Sequence, residues 1–195
     1  MLNNKRGAYI NDRGFTLVEL LIVASITALI ATFIVLNFSN LRINLDQTVN
    51  IFISKIRSAQ ALAQASAKFN GAIRCGYGVH YINSNSFIVF AGANATTTDC
   101  TSTSRTWSSD LPTVSTINVP NLRVEIKNYD GHNFKDVFFE PPNPKSYING
   151  DDESGKSTGI VIGVKGDSCN SSNCKVICIY NPGRIEFKAG NSPCN

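Results

Sequence analysis

One carboxylate stands inside the most apolar stretch of this sequence. The stretch from Phe15 to Phe38 contains Glu19 as its one ionisable residue and has no proline or glycine. A carboxylate surrounded by hydrocarbon is energetically costly, so such a residue is a candidate for a functional role with a partner. A position close to the end of the stretch would instead let its side chain reach the lipid headgroups. Glu19 is therefore the first candidate functional residue.

A second motif has the spacing of a phosphate-binding loop. Residues 150–157 match G-x-x-x-x-G-K-[ST], which holds phosphates where a buried strand turns into a helix. Here a proline-rich segment precedes the motif and a strand-like run follows it. Asp151, Asp152 and Glu153 would repel phosphate, and they lack the spaced oxygen ligands of a calcium loop. We therefore predict a solvated turn at 150–157 and no cofactor.

Disulfide bonds are the expected chemistry of the cysteines, all of which follow the apolar stretch. The six are Cys75, Cys100, Cys169, Cys174, Cys178 and Cys194. In an oxidising compartment they allow many complete pairings. A bond between Cys174 and Cys178 is excluded, because in a strand they would be about 13 Å apart. Among the remaining pairings we favour Cys75–Cys100, Cys169–Cys174 and Cys178–Cys194.

Metal binding and catalysis find little support in the sequence. There is no C-x-x-C pair, and neither His80 nor His132 has the spacing of a zinc finger, so we predict no metal site. Neither histidine has a nucleophilic cysteine or serine motif nearby in the sequence. No two carboxylates are recognisably placed for general acid–base catalysis. We expect both histidines to lie on the surface and the protein not to be an enzyme.

The apolar stretch has the length of a membrane span. As a helix, residues 15–38 would be about 36 Å long, against about 30 Å for the hydrocarbon core of a bilayer. A secretory signal peptide has a shorter apolar region, followed by small residues at its cleavage site. Lys5, Arg6 and Arg13 precede the span, which predicts a cytoplasmic N-terminus and an extracytoplasmic C-terminal part.

A helical pattern continues beyond the span. Apolar residues at steps of three and four predict an amphipathic continuation over 39–70 that packs one face on a sheet. These residues are Leu41, Leu45, Val49, Phe52, Ile56, Ala59 and Ala63. The pair Asn70-Gly71 is predicted to end the helix, with the glycine in a left-handed cap.

The remaining residues, 71–195, predict one β-rich domain and an α+β fold. The predicted strands are Gly78–Ile82, Phe87–Phe90, Val114–Val119, Leu122–Lys127, Val137–Glu140, Gly159–Val164, Lys175–Tyr180 and Arg184–Lys188. A long loop from Ala91 to Pro112 contains Trp107, which we interpret as a local packing anchor. The proline-rich segment 141–144 is predicted to end its strand, and Asn181-Pro182-Gly183 to form the last tight turn.

The start of the chain resembles the processing signal of type IV prepilins and pseudopilins. It has a short basic leader, residues 1–14, which ends in Gly14, and Phe15 and Glu19 would be the first and fifth mature residues. In that family a prepilin peptidase cleaves after the glycine and methylates the new N-terminus. The resemblance therefore implies cleavage after Gly14, N-methylation of Phe15 and a docking role for Glu19. The partner of Glu19 would be the new α-amine, on this chain or a neighbour.

Weaker similarities favour one branch of that superfamily. The alanine-rich helix around Arg57, the strand end at Phe139 and the hairpin at Gly183-Arg184-Ile185 resemble the H-type minor pseudopilins and minor pilins. The resemblance implies a pilin-like fold and a non-enzymatic structural subunit of a type II secretion pseudopilus or type IV pilus. Its partners would be other pilins, contacted through the helix, together with the prepilin peptidase and the inner membrane. The subunit would help initiate filament assembly and sit near the filament tip.

Two other functions stay open at this point. Some H-type minor pilins bind DNA through basic residues near the last hairpin, and Arg184, Lys175 and Lys188 could form such a patch here. Glu186 stands where those proteins have a second arginine, and a carboxylate opposes phosphate contact. The formal net charge of +4 is too small to indicate nucleic acid by itself. The third candidate is a membrane-anchored binding protein outside any filament.

Overall fold

The computed structural model describes residues 16–127, 134–141, 145–153 and 155–194, and for residues 36–43 the backbone alone. Gly14, Phe15 and His132 thus lie outside the described residues. The chain divides into two compact units, Met1–Ser39 and Asn40–Asn195. Within the described residues the secondary structure comprises one α-helix, a short 3₁₀ helix at Cys100–Ser102, and strands. The helix and strands are α1 (Leu17–Gln64), β1 (Lys68–Phe69), β2 (Ala72–Ile73), β3 (Tyr77–Asn83), β4 (Ser86–Ala91), β5 (Thr113–Asn118), β6 (Val124–Lys127), β7 (Asp136–Glu140), β8 (Lys145–Ile148), β9 (Ser157–Val164), β10 (Cys174–Tyr180) and β11 (Arg184–Ala189).

The first unit contains the apolar start of α1. The stretch Leu17–Val35 is long and apolar enough to cross a membrane, and its large apolar side chains are exposed in the isolated chain. The hydroxyl groups within it are satisfied locally. Ser25, Thr27 and Thr32 donate hydrogen bonds of 2.8–2.9 Å to carbonyl oxygens three or four residues earlier. These side chains therefore need no partner outside the helix, which lowers the cost of placing them in lipid.

The second unit is built on the apolar stripe of α1. Six of the seven residues predicted for this stripe, from Leu45 to Ala63, are at most 2% exposed. The seventh, Leu41, is among the residues for which the backbone alone is described. Charged side chains on the same helix, such as Asp46 and Lys55, are exposed. The predicted amphipathic helix is thereby confirmed.

Two antiparallel sheets surround this stripe. One has the order β5-β4-β3-β7-β8 and the other the order β11-β10-β9-β6. Side chains from the inner faces of both sheets join the helix in a single core. Within it the rings of Phe52 and Phe87 lie 4.1 Å apart. The α+β class is confirmed, and most of the described strands belong to these two sheets, while β1 and β2 form a separate two-stranded sheet.

The predicted end of the helix was wrong. α1 stops at Gln64, and residues on both sides of Asn70-Gly71 pair as β1 and β2, with Phe69 opposite Ala72. Asn70 and Gly71 have φ angles of 51° and 77°. Two consecutive positive φ values define the tight hairpin turn for which Asn-Gly is the preferred sequence. The dipeptide therefore turns a hairpin instead of capping the helix.

The prediction for the proline-rich segment 141–144 was only partly correct. β7 ends at Glu140, as predicted, but the chain then returns as β8, which the sequence analysis missed. Glu140 pairs with Lys145, so the segment 141–144 connects two neighbouring strands. Of these residues, 142–144 lie outside those described.

The long loop covers the outer face of the five-stranded sheet. Trp107 and Leu111 pack against a small cluster of Phe90, Phe138 and Tyr147. The loop begins after Ala91, since that residue still belongs to β4. The expected role of Trp107 as a packing anchor agrees with this arrangement.

His80 is not the surface histidine that the sequence suggested. Its side chain is only 20% exposed and stacks on Trp107, with the ring centroids 4.4 Å apart. Nδ1 of His80 lies 2.9 Å from Oδ1 of Asp136, and the same carboxylate oxygen accepts the backbone N–H of Trp107 at 3.1 Å. His80 thus helps to attach the loop to the sheet.

Three disulfides join Cys75 to Cys100, Cys169 to Cys174 and Cys178 to Cys194. These are the pairs that the sequence analysis favoured. The first closes the longest loop and holds the start of the Trp107 loop against the sheet. The other two lie at the outer face of the four-stranded sheet, beside Val176 and Tyr180.

Replacing both Cys75 and Cys100 by serine should lower the free energy of unfolding by about 3 kcal/mol, because the unfolded chain regains the entropy of that loop. Trp107, the one tryptophan of the sequence, reports the transition by fluorescence during denaturation. The Cys169–Cys174 disulfide joins residues only five positions apart, so its removal should lower the free energy of unfolding by about 2 kcal/mol. A larger loss from the shorter loop would contradict the loop-entropy argument.

Candidate functional site

The start of α1 is organised by a reciprocal pair, Thr16 and Glu19. The backbone N–H and the hydroxyl of Thr16 both donate to Oε2 of Glu19, at 3.3 and 3.2 Å. In return, the backbone N–H of Glu19 donates to Oγ1 of Thr16 at 3.2 Å. Thr16 directly precedes the first helical residue, so this is a capping box, in which two of the free N–H groups at a helix start are satisfied.

The capping box changes the interpretation of Glu19. A cation was the expected partner of Glu19, yet its carboxylate already accepts two hydrogen bonds from its own chain. The pattern Thr-x-x-Glu before an apolar run is a recognised sequence signature of a helix start, and it could have been found. The positive end of the helix dipole also favours a negative charge in the first turn. Glu19 is therefore partly compensated before any other molecule approaches.

The geometry leaves one carboxylate oxygen for a second partner. Both Thr16 donors contact Oε2, and Oε1 accepts no hydrogen bond from the part of the chain that the structure describes. A protonated α-amine donates charged N–H groups, also after methylation, and prefers such a carboxylate oxygen. Gly14 and Phe15, which would supply the cleavage site and the α-amine, precede the described residues. Oε1 of Glu19 is thus the atom that the predicted docking pair would use, and the pair itself stays a prediction.

The three candidate DNA contacts do not form one patch. Lys175 and Arg184 lie at opposite ends of the β10–β11 hairpin, with roughly 17 Å of strand between them. Lys188 is paired with the buried Val176, which places it on the opposite face of the sheet from Lys175. Lys175 therefore lies apart from Arg184 and Lys188, because alternate residues of a strand point to opposite faces, and DNA binding stays an untested prediction.

Each of these basic residues also has a local partner. Lys175 forms an ion pair with Asp46 of α1. Arg184 lies 3.4 Å from Glu186 and its guanidinium stacks 4.3 Å above the ring of Tyr180. Lys188 donates to the carbonyl oxygen of Pro193 at 3.1 Å. The arrangement does not favour a phosphate-binding surface.

In the segment that matches a phosphate-loop pattern, the lysine that would contact phosphate is paired with an acidic residue. This lysine is Lys156, and its partner is Asp151. The hydrogen bond from Lys145 holds the pKa of the Asp152 carboxyl below its ordinary value. The chain continues into strand β9, with no helix after the motif, and Ser154 lies outside the described residues. This agrees with the predicted solvated turn.

Metal-ligating side chains do not cluster in the described part of the chain, where no group of three or more His, Cys, Asp or Glu residues could hold an ion. The described cysteines are all in disulfides.

A comparison with known families bears on the helix start. Residues 10–35 match the model of the prokaryotic N-terminal methylation motif. The match covers the predicted cleavage site, the capping box and most of the apolar stretch. It indicates a type IV pilin-like or pseudopilin-like protein, and the apolar helix fits membrane anchoring. No curated protein and no solved structure matches the chain.

Proposed function

We propose that this protein is a minor pseudopilin or minor pilin, a non-enzymatic subunit of a type II secretion pseudopilus or a type IV pilus. The observation that carries the proposal is Glu19 at the third position of an apolar helix, within the segment that matches the methylation motif. The alanine-rich helix and the Gly183-Arg184-Ile185 hairpin support the H-type branch.

In this proposal the precursor is inserted in the inner membrane with its leader in the cytoplasm. The basic residues of the leader and the disulfides of the second unit support this topology, since disulfides form in oxidising compartments. A prepilin peptidase cuts after Gly14 and methylates Phe15. The new α-amine is then close in sequence to the capping box.

The physical step of assembly is the transfer of the helix from lipid into a bundle of homologous helices. Inside such a bundle the dielectric constant is low, so an unpaired carboxylate would be strongly disfavoured. The free Oε1 of Glu19 can accept the α-amine of a neighbouring subunit, while Thr16 keeps Oε2. The partners are therefore other pilins, contacted through the helix, and the minor subunit would help start the filament near its tip.

Processing gives the most direct test. The protein isolated from membranes should begin at Phe15 and carry one N-terminal methyl group, as measured by mass spectrometry of the intact N-terminal peptide. A Gly14→Val variant should remain uncut while still inserting in the membrane, because the apolar stretch is unchanged. A Gly7→Val variant changes the same residue type within the leader and serves as the matched control.

A native protein that still begins at Met1 would contradict the proposal. The α-amine partner of Glu19 would then not exist, and a membrane-anchored binding protein would be the better description. A cut but unmethylated N-terminus would contradict only the methylation.

A further inference from the structure

Leu122 is the most exposed large apolar side chain that the structure describes. It is 93% exposed, against 80% for Leu17 of the apolar span. The neighbouring Arg123 and Lys165 are exposed as well, and the backbone N–H of Lys165 donates to the carbonyl of Arg123 at 2.8 Å. We call Leu122, Arg123 and Lys165 the basal surface.

A polar recess of about 320 Å³ adjoins this surface. Leu122 and Lys165 form part of its lining, and amides and hydroxyls of the β3–β4 turn, such as Asn83 and Ser84, form much of the rest. Amides, hydroxyls and an ammonium group are hydrogen-bond donors for phosphate and glycerol oxygens. The recess thus has the chemistry to take a phospholipid headgroup beside the exposed side chain of Leu122.

The basal surface lies at the end of the second unit where α1 enters it. The β9–β10 loop, which starts at Lys165, reaches Ser171 and Ser172, and these residues line a recess together with Leu45. At the other end of the unit, Gln60 of α1 contacts the β10–β11 turn at Gly183.

The chain length keeps this end close to a bilayer. Leu45 follows Val35, the last residue of the span, by ten positions of the helix, which rise about 15 Å. The headgroup layer on each side of the hydrocarbon core is about 5–7 Å thick. Leu45 therefore stays within about 15 Å of the hydrocarbon whenever the span is inserted, whatever the orientation of the two units.

The positive charge of the basal surface favours contact with anionic lipid headgroups. Lys127 and Lys175 nearby are neutralised by Glu125, at 3.0 Å, and by Asp46. Arg123 and Lys165 have no ion-pair partner among the residues that the structure describes. Each basic side chain near an anionic leaflet strengthens its attraction roughly fivefold. A single exposed leucine is common on soluble proteins. Here the leucine lies beside two basic side chains, in a chain with a candidate membrane span.

We propose that the basal surface binds the phospholipid headgroups of the membrane that holds the span. Leu122 enters the interfacial layer, and Arg123 and Lys165 contact headgroup phosphates. This contact holds the second unit against the membrane for as long as the span is inserted. The proposal depends on membrane anchoring and does not require the filament role.

A single-label experiment in vesicles tests this. The described cysteines are all in disulfides, so a new cysteine at Leu122→Cys can be labelled selectively with an environment-sensitive fluorophore. Glu153→Cys is the matched control, because it is exposed and lies beside Asn181 of the β10–β11 turn, at the opposite end of the unit. The full-length protein is reconstituted in phosphatidylcholine vesicles with or without phosphatidylglycerol, and quenching by headgroup-labelled lipid is measured.

With phosphatidylglycerol present, the label at position 122 should be quenched several-fold more than the label at 153. Adding Arg123→Glu and Lys165→Glu should bring it down to the level of the control, with unchanged Trp107 emission as the check on folding. Equal quenching at the two positions would overturn the proposal. The proposal would also be overturned if quenching at position 122 were unchanged by phosphatidylglycerol and by the two charge reversals. It would likewise be overturned if other pilins protected the label at 122 in detergent without lipid.

Discussion

A Glu19→Gln protein should insert and be cleaved normally, yet join other pilins roughly 100-fold less well than the native protein. Glutamine at the third helical position can still complete a capping box with Thr16, so the helix start is preserved. The charge that would meet a neighbour's α-amine is lost, and the amine is left without its partner in a low-dielectric bundle. Breaking such a pair costs about 3–5 kcal/mol, and about 1.4 kcal/mol corresponds to a factor of ten.

The matched control changes the cap and keeps the charge. In Thr16→Val the hydroxyl that donates to Oε2 and accepts the N–H of Glu19 is removed. Loss of an N-cap costs about 1 kcal/mol, so incorporation should fall by about fivefold or less. The two variants therefore separate a structural role of Glu19 in the helix start from an electrostatic role between subunits.

The measurement is co-purification with the partner pilins after membrane extraction, with N-terminal mass spectrometry of the retained fraction to verify cleavage. Native incorporation of Glu19→Gln would rule out the charge pair. If Thr16→Val were as defective as Glu19→Gln, the capping box alone would account for the importance of the carboxylate.

The parts of the fold that could be predicted are those with strong local signals. The stripe from Leu45 to Ala63 follows from helical periodicity, because one face of the helix must be buried. The hairpin β10–β11 follows from alternation and the turn residues at Asn181-Pro182-Gly183. In both cases the neighbours along the chain determine which side chains are buried.

The missed parts depend on partners distant in sequence or on competing local rules. β8 has only four residues, and it forms because β7 offers it an edge. Asn70-Gly71 suits both a helix cap and a hairpin turn, and the pairing of Phe69 with Ala72 decides between them. Leu122 was predicted as part of a strand, but β6 begins only at Val124, and the exposure of Leu122 depends on how the loops pack.

The candidate site shows the same division. Glu19 was identified because a charge in an apolar stretch is conspicuous in the sequence alone. Its partner Thr16 was missed because the search was for an opposite charge, whereas the actual donors are a hydroxyl and a backbone N–H. The DNA patch was expected from residues close in sequence, and strand alternation separated Lys175 from Lys188.

The second large effect is expected at Phe52. Replacing Phe52 by alanine should lower the free energy of unfolding of the second unit by about 4 kcal/mol, the usual cost of removing a buried phenylalanine ring. Phe52 is 1% exposed, and its ring meets Phe87 of β4 at 4.1 Å in the core that joins the helix to both sheets. Chemical denaturation followed by far-ultraviolet circular dichroism and Trp107 fluorescence measures the loss.

Lys55→Ala, three residues further along the same helix, is the control, because its exposed side chain should change stability by less than about 0.5 kcal/mol. Membrane insertion and cleavage after Gly14 should be unchanged in Phe52→Ala, since both depend on residues before Asn40. A Phe52→Ala protein of native stability would show that the sheets hold together without the helix. Failed cleavage in a protein that inserts normally would instead show that processing requires a folded second unit.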